Sequence, residues 1–415
     1  MRRLSAPGIA VLVWAGAACA GGERDGPIGG AWGGSVVDSA GVTVVHNPAA
    51  GSWRDDEAWT LTEELRIGSF GADPDYQFAQ IGSIVPNSRG EILVMDRQVR
   101  KLSFYSEAGE FIRAVGTPGQ GPGEFGRGVT DVFVGPGDTL LVPDPRNRRV
   151  HRLGPEGELL GSEPLDLERY RPLRFRGSAT TGRAAVQLRP AGVLVADDAA
   201  TLDQLALLEP SGAVGMTLLQ VRAGQLLGPE ITRYFTPEPA WTLSDSLTVI
   251  HALNSEYRIS WYDRDGVARR IVTLPWEPRR IGDRDIRAFF AYLDRAWLSA
   301  GVPPSRLEEN HRRVSFAETF PAFSTFYVGK EGSLWVQPVR APGDMTDQEI
   351  ERYNFIEDFG SSDWDVFGAD GRYQGVVSMP PRFQPRWFVG DFIYGVQRDE
   401  LDVQFVVRLR VVPGP

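Results

Sequence analysis

Short apolar runs closed by polar turns recur along most of this chain. Ile92-Leu93-Val94-Met95 ends at Asp96, Lys101-Leu102-Ser103-Phe104-Tyr105 follows, and Glu107-Ala108-Gly109-Glu110 makes a second turn. The order returns 48 residues on as Leu140-Leu141-Val142-Pro143-Asp144, then Arg149-Val150-His151-Arg152-Leu153, then Pro155-Glu156-Gly157-Glu158. Each unit predicts a strand, a turn opened by Asp, an alternating strand, a glycine turn and a further strand. The unit recurs with drift through Val193-Leu194-Val195, Leu247-Thr248-Val249-Ile250 and Leu334-Trp335-Val336, which aligns turn glycines at 109, 157, 212, 266 and 371. A last set of strands runs from Trp387-Phe388-Val389 through Tyr394-Gly395-Val396 to Val403–Val411.

Self-similarity at about 40–50 residues with four strands per unit marks a propeller blade, and six units fit the length. The expected fold is therefore all-β, a six-bladed β-propeller over residues 41–413. The C-terminal strands should supply most of the last blade. Its outer strand should come from the N-terminal side, either Val42–His46 or Trp59–Ile67, so that no sheet edge is left open there. One segment departs from the strand pattern. Ile286, Phe289, Phe290, Leu293 and Trp297 recur at helical spacing, which predicts a helical insertion over 280–316, between blades four and five. Its apolar stripe should bury against its own propeller.

These residues resemble a family of bacterial six-bladed propellers, distantly similar to NHL-repeat propellers. The resemblance rests on Leu93-Val94-Met95-Asp96 with Phe104-Tyr105, and on Gly116-Thr117-Pro118-Gly119-Gln120-Gly121-Pro122-Gly123-Glu124-Phe125 entering a new blade. Val389-Gly390-Asp391-Phe392 through Asp402-Val403 adds to it. It spans about residues 40–413 and implies the fold and an exported, often lipidated, protein of unassigned activity.

Composition refines the address. Aromatics at 10% and charges at 24% suit a globular domain rather than a disordered chain. A net charge of −10 argues against general nucleic-acid binding, which needs a basic face. Arg2 and Arg3 precede an apolar stretch, Gly8 to Ala18, too short to span a bilayer but suited to a signal peptide over residues 1–19. Gly16-Ala17-Ala18-Cys19 resembles a lipobox, although Gly16 stands where such boxes usually carry Leu; cleavage by an ordinary signal peptidase is the alternative. Cys19 is the only cysteine, and a Gly-rich stretch, expected as a tether over 20–40, follows it. The expected location is the cell envelope, lipid-anchored through Cys19 on the periplasmic or outer-membrane face, with a secreted soluble protein as the alternative.

Candidate chemistry is sparse. The Gly116–Phe125 loop lacks the Lys-Ser/Thr of a phosphate loop and reads as an inter-blade connection. Asp96 and Asp144 sit at equivalent turns, where Asp caps its own backbone; a repeated metal ligand is the weaker reading. Arg97, Arg100, Arg146 and Arg148 share those turns and are the candidate ligand-binding residues, able to converge on an anion at one rim. His46, His151, His251 and His311 are scattered, and no metal-ligand spacing or nucleophile elbow stands out. The expected function is a noncatalytic ligand- or protein-binding or scaffold propeller, monomeric, without catalytic residues, cofactor or metal. The alternative is a lactonase-like hydrolase or lyase with a metal in the central channel.

Overall fold

The computed structural model describes residues 32–54, 56–71, 73–178, 183–191, 201–223, 232–244 and 246–414. The signal segment, Cys19 and the stretch up to residue 31 lie outside these. Among the described residues six sheets of at least four strands, five of them antiparallel throughout, stand around a central channel. Blade 1 runs from Ile81–Pro86 to Phe111–Val115, blade 2 from Phe133–Val134 to Leu159–Pro164, and blade 3 from Tyr170–Gly177 to Val214–Arg222. Blade 4 runs from Pro239–Leu243 to Ala268–Thr273 and blade 5 from Phe323–Val328 to Tyr373–Ser378. Blade 6 comprises Phe383–Val389, Phe392–Arg398 and Gln404–Val412, and its fourth strand is Thr60–Ile67. Of the two closing strands the sequence allowed, the ring uses the later one. Val42–His46 instead pairs in parallel with Ala268–Thr273 on the outside of blade 4, and Ser35–Ser39 adds a further strand beyond it. Among the described residues sheet structure thus begins at Ser35, inside the stretch expected as tether.

The unbroken apolar runs follow from burial on both faces. Successive side chains of a strand point to opposite faces, and a blade packs against a neighbour on each. Leu93 and Met95 join a cluster with Leu140 and Val142 of blade 2, while Ile92 and Val94 face Tyr394 and Val396 of blade 6. Six such clusters, one at each junction, close the ring. The aligned glycines all have left-handed φ, from 71° at Gly266 to 97° at Gly212, in the hairpin between third and fourth strands. Each donates its N–H to the carbonyl three residues back, and the register then shifts by a bulge. A Cβ there would strain the turn, which is why glycine repeats. Blade 6 lacks a counterpart because its fourth strand comes from the other end of the chain.

A second, smaller core lies outside the six blades. Strand Thr232–Tyr234 pairs in parallel with Val314–Phe316. Between the fourth strand of blade 4 and Val314 run helices α1 (Asp283–Ser299) and α2 (Leu307–His311), and α3 (Asp347–Arg352) and α4 (Phe355–Asp358) interrupt blade 5. The α1 stripe buries Phe289 and Leu293 against Phe235, Phe320 and Tyr353. Asp285 fixes its start, accepting from Gly282 N at 2.9 Å and from the Arg279 guanidinium at 3.0 Å. Three chain-distant pieces therefore share one aromatic core.

Candidate functional site

The channel and its mouth form a cavity of about 1670 Å³, lined by the first strand of every blade. Its inner wall carries an excess of guanidinium groups. Arg174 and Arg176 come from the first strand of blade 3 and Arg386 from that of blade 6. Arg97, from the second turn of blade 1, joins them at the wall. Alternation explains the blade 3 pair: in Leu173-Arg174-Phe175-Arg176, Phe175 enters the cluster shared with blade 2 and the arginines take the opposite face.

Among the described residues, Arg174 alone of these cations pairs with a carboxylate, Glu238 at 4.0 Å. Asp131, leading into blade 2, is the only acid that the first strands and their leads present to the cavity among the described residues. It accepts from the Thr130 hydroxyl at 2.6 Å and has no arginine within ion-pair distance. Burial pushes its carboxyl up, opposed by that hydrogen bond and by Arg176, Arg386 and Arg97. The Arg176 side chain makes no hydrogen bond or ion pair among the described residues; its guanidinium lies 5.6 Å from the centre of the Tyr327 ring, and its Nε is buried without a partner there. The Arg386 Nε is buried and unpartnered too, with one Nη2 donating to Gln384 Oε1 at 3.0 Å. Burial and then the nearby Arg176 hold Arg174 below its ordinary value; burial likewise lowers Arg386, with Arg97 and Arg398 adding to it. Crowding like charges at low dielectric is costly unless something neutralises them.

Aromatic side chains complete the wall. Trp387 of blade 6 reaches the opposite side of the ring, with its ring 6.4 Å from that of Phe133 and its edge against Gly177 of blade 3. Tyr327 of blade 5 stacks on Phe388 at 4.9 Å and 18°. Towards the mouth the lining passes to Arg295 of α1, Arg352 of α3 and Ile356 of α4. There Arg398 pairs with Glu357 at 2.6 Å, linking α4 to blade 6.

Of the four arginines singled out from the sequence, only Arg97 lines the cavity. Arg100 approaches the Phe125 carbonyl at 3.5 Å, and Arg148 lies 3.7 Å from Glu168 on the surface. Arg146 makes no pair among the described residues. The Asp positions of those turns are structural. Asp96 accepts from Gln98 N and Val99 N of its own turn and from Ala79 N of the connection entering blade 1. Asp144 repeats this with Asn147 N and Gly126 N. Asn147 and Arg149 then pin the Gly116–Phe125 loop by its carbonyls, and Phe125 fills the junction between blades 1 and 2. The histidines lie apart: His151 is a buried partner of Asp144, His311 bonds Asp294, His46 meets Thr273, and burial pushes the His251 imidazole down to about 4. Among the described residues no three His, Cys, Asp or Glu side chains gather as a metal site.

The channel arginines Arg174, Arg176 and Arg386 escaped sequence reading because nothing in a short strand's composition says which face turns to the axis. Three comparisons bear on the fold. Residues 74–153 match the family model DUF5128, 6-bladed beta-propeller. No curated protein sequence matches the chain. A member of the DUF4221 family from Bacteroides vulgatus superposes with a TM-score of 0.51 at 8% identity, covering 86% of this chain and all of that one. A putative exported protein from Bacteroides fragilis gives 0.48 at 11% identity over 89% of this chain and all of that one. Virginiamycin B lyase from Staphylococcus aureus gives 0.42 at 9% over 86% of this chain and all of that one. Repeat, sheet order and the family model over its first blade and most of its second agree that this chain is a six-bladed β-propeller.

Proposed function

We propose that this propeller is an exported binding protein whose central channel takes an anionic ligand. The observation that carries the reading is the convergence of Arg97, Arg174, Arg176 and Arg386 on one cavity wall, where Asp131 is the one carboxylate that the first strands and their leads present among the described residues. Guanidinium groups recognise carboxylate, phosphate and sulfate through paired N–H donors. The half-buried guanidiniums of Arg176 and Arg386 have few partners of their own, which leaves their outer N–H groups to serve such a ligand. A metal-centred hydrolase or lyase needs acidic or amide groups from several inner strands. The inner wall does not fit that group: among the described residues the first strands and their leads bring Asp131 alone beside four guanidiniums, and Glu349, Glu357 and Asp358, also at the cavity, come from α3 and α4. The helical insertion between blades four and five, with α3 and α4, acts in this reading as a cap past which the ligand enters.

A thermal-shift titration tests the reading. Sodium sulfate should raise the melting temperature by several degrees over sodium chloride at equal ionic strength, as expected for a ligand bound only to the folded state. Arg176→Met should abolish the part of that difference that exceeds the general stabilisation sulfate gives by exclusion from protein surfaces. An equal response of the two proteins to sulfate would remove the channel as its site.

Export to the envelope and a lipid on Cys19 belong to the same proposal, supported by Arg2, Arg3, the apolar Gly8–Ala18 stretch and the single cysteine. Two acyl chains hold a protein to a membrane where one gives only marginal binding. Cells fed a clickable palmitate analogue should label the wild type and not Cys19→Ala. Equal labelling would rule the anchor out.

A further inference from the structure

Resting on the anion reading, we infer that the ligand is an organic anion bearing a flat-faced ring, its charge on Arg176 and Arg386 and its ring against Tyr327 and Trp387. A simple inorganic ion needs a small fraction of the 1670 Å³ available, whereas cavities for small organic ligands run to about 300–1,000 Å³. Beside the guanidiniums the lining is aromatic rather than uniformly polar, with Phe133, Phe175, Tyr327, Trp387 and Phe388 from four blades. Tyr327 and Trp387 are only half-buried, unlike the other three, so their rings retain surface towards the cavity. The two kinds of group also meet. The Arg176 guanidinium lies 5.6 Å from the centre of the Tyr327 ring, so an anion held by its outer N–H groups sits within reach of that ring. A ring attached to the anion would extend along the Tyr327–Phe388 stack, or towards the Trp387 indole that crosses from blade 6 to blade 3. Ring faces of this kind serve an aromatic acid and an acidic sugar alike, since both present a flat, weakly polar face.

Calorimetric titration with three carboxylates separates the parts: acetate with no ring, benzoate with an aromatic ring, and galacturonate with a sugar ring. At least one ring-bearing acid should bind ten-fold or more tightly than acetate, and which of them does so identifies the kind of ring. Tyr327→Leu should remove most of that advantage and leave acetate binding unchanged. Arg176→Met should weaken all three acids. Circular dichroism melting of each variant confirms that it is folded before titration. Equal affinities for the three acids, with dependence on Arg176 retained, would overturn the ring inference and leave the anion reading standing. A ring advantage that survives Tyr327→Leu would overturn the placement. Binding indifferent to Arg176 would overturn both.

Discussion

Asp203→Ala is expected to lower stability by about 3–5 kcal/mol, because it leaves a buried guanidinium without its counter-charge. Arg189 donates from Nε and Nη2 to the two Asp203 oxygens at 2.8 and 2.9 Å, and both residues are almost wholly inaccessible. Gln187 adds a hydrogen bond to the same carboxylate and accepts in turn from the Trp241 indole of blade 4, so the loss reaches the junction between blades 3 and 4. Urea unfolding should show a lower midpoint with an unchanged slope, since the folded state keeps its compactness. Replacing the pair together, Arg189→Met with Asp203→Leu, should restore most of the loss, because an apolar pair of similar volume carries no charge to desolvate. A single-variant loss below about 1 kcal/mol would mean that water reaches the site in solution.

The second large effect has the opposite sign. Arg176→Met combined with Arg386→Met is expected to stabilise the ligand-free protein by about 1 kcal/mol at low ionic strength, since two half-buried like charges are removed from a crowded wall. For a chain of 415 residues, whose unfolding entropy is about 2.1 cal/mol/K per residue, this is a rise in melting temperature of roughly 1–2 °C. The same variant should lose the part of its sulfate response that exceeds that general stabilisation. A gain in stability coupled to a loss of binding is what a functional site produces, whereas residues kept for structure lose stability when removed. A destabilised double variant would show that Arg176 and Arg386 hold the channel together.

The fold was readable because each blade repeats a local requirement. A strand buried on both faces must be apolar throughout, a tight hairpin with a bulge must carry glycine at its left-handed position, and Asp must cap the second turn. Those requirements set Ile92–Met95, Gly109 and Asp96, and again Leu140–Val142, Gly157 and Asp144. The site was not readable for a related reason. The face that a first strand turns to the axis is decided by neighbouring blades, and Arg174 and Arg176 sit where the repeat has drifted most. Arg97 could be picked out because its turn follows the repeated Asp; Arg386 has no such neighbour. The cap's core was hidden further, since Phe235, Phe289 and Tyr353 meet only when three separate excursions fold over one another.

The N-terminal segment runs like a belt over the outside of three blades. Trp32 donates to Asn47, Ser35–Ser39 and Val42–His46 lie on blade 4, Trp53 N reaches the Gln374 carbonyl of blade 5, and Thr60–Ile67 closes blade 6. Under a mechanical load applied at residue 32, this order acts as a series of fuses. The hairpin of Ser35–Ser39 on Val42–His46 would unzip first, pair by pair from Ser35–His46, at low force. Val42–His46 would then have to leave Ala268–Thr273 before Asn47, bonded to both Thr273 and Gly371, took the load. The strand that closes the ring comes last, so tension from that end is dissipated in sacrificial pairs before the propeller opens.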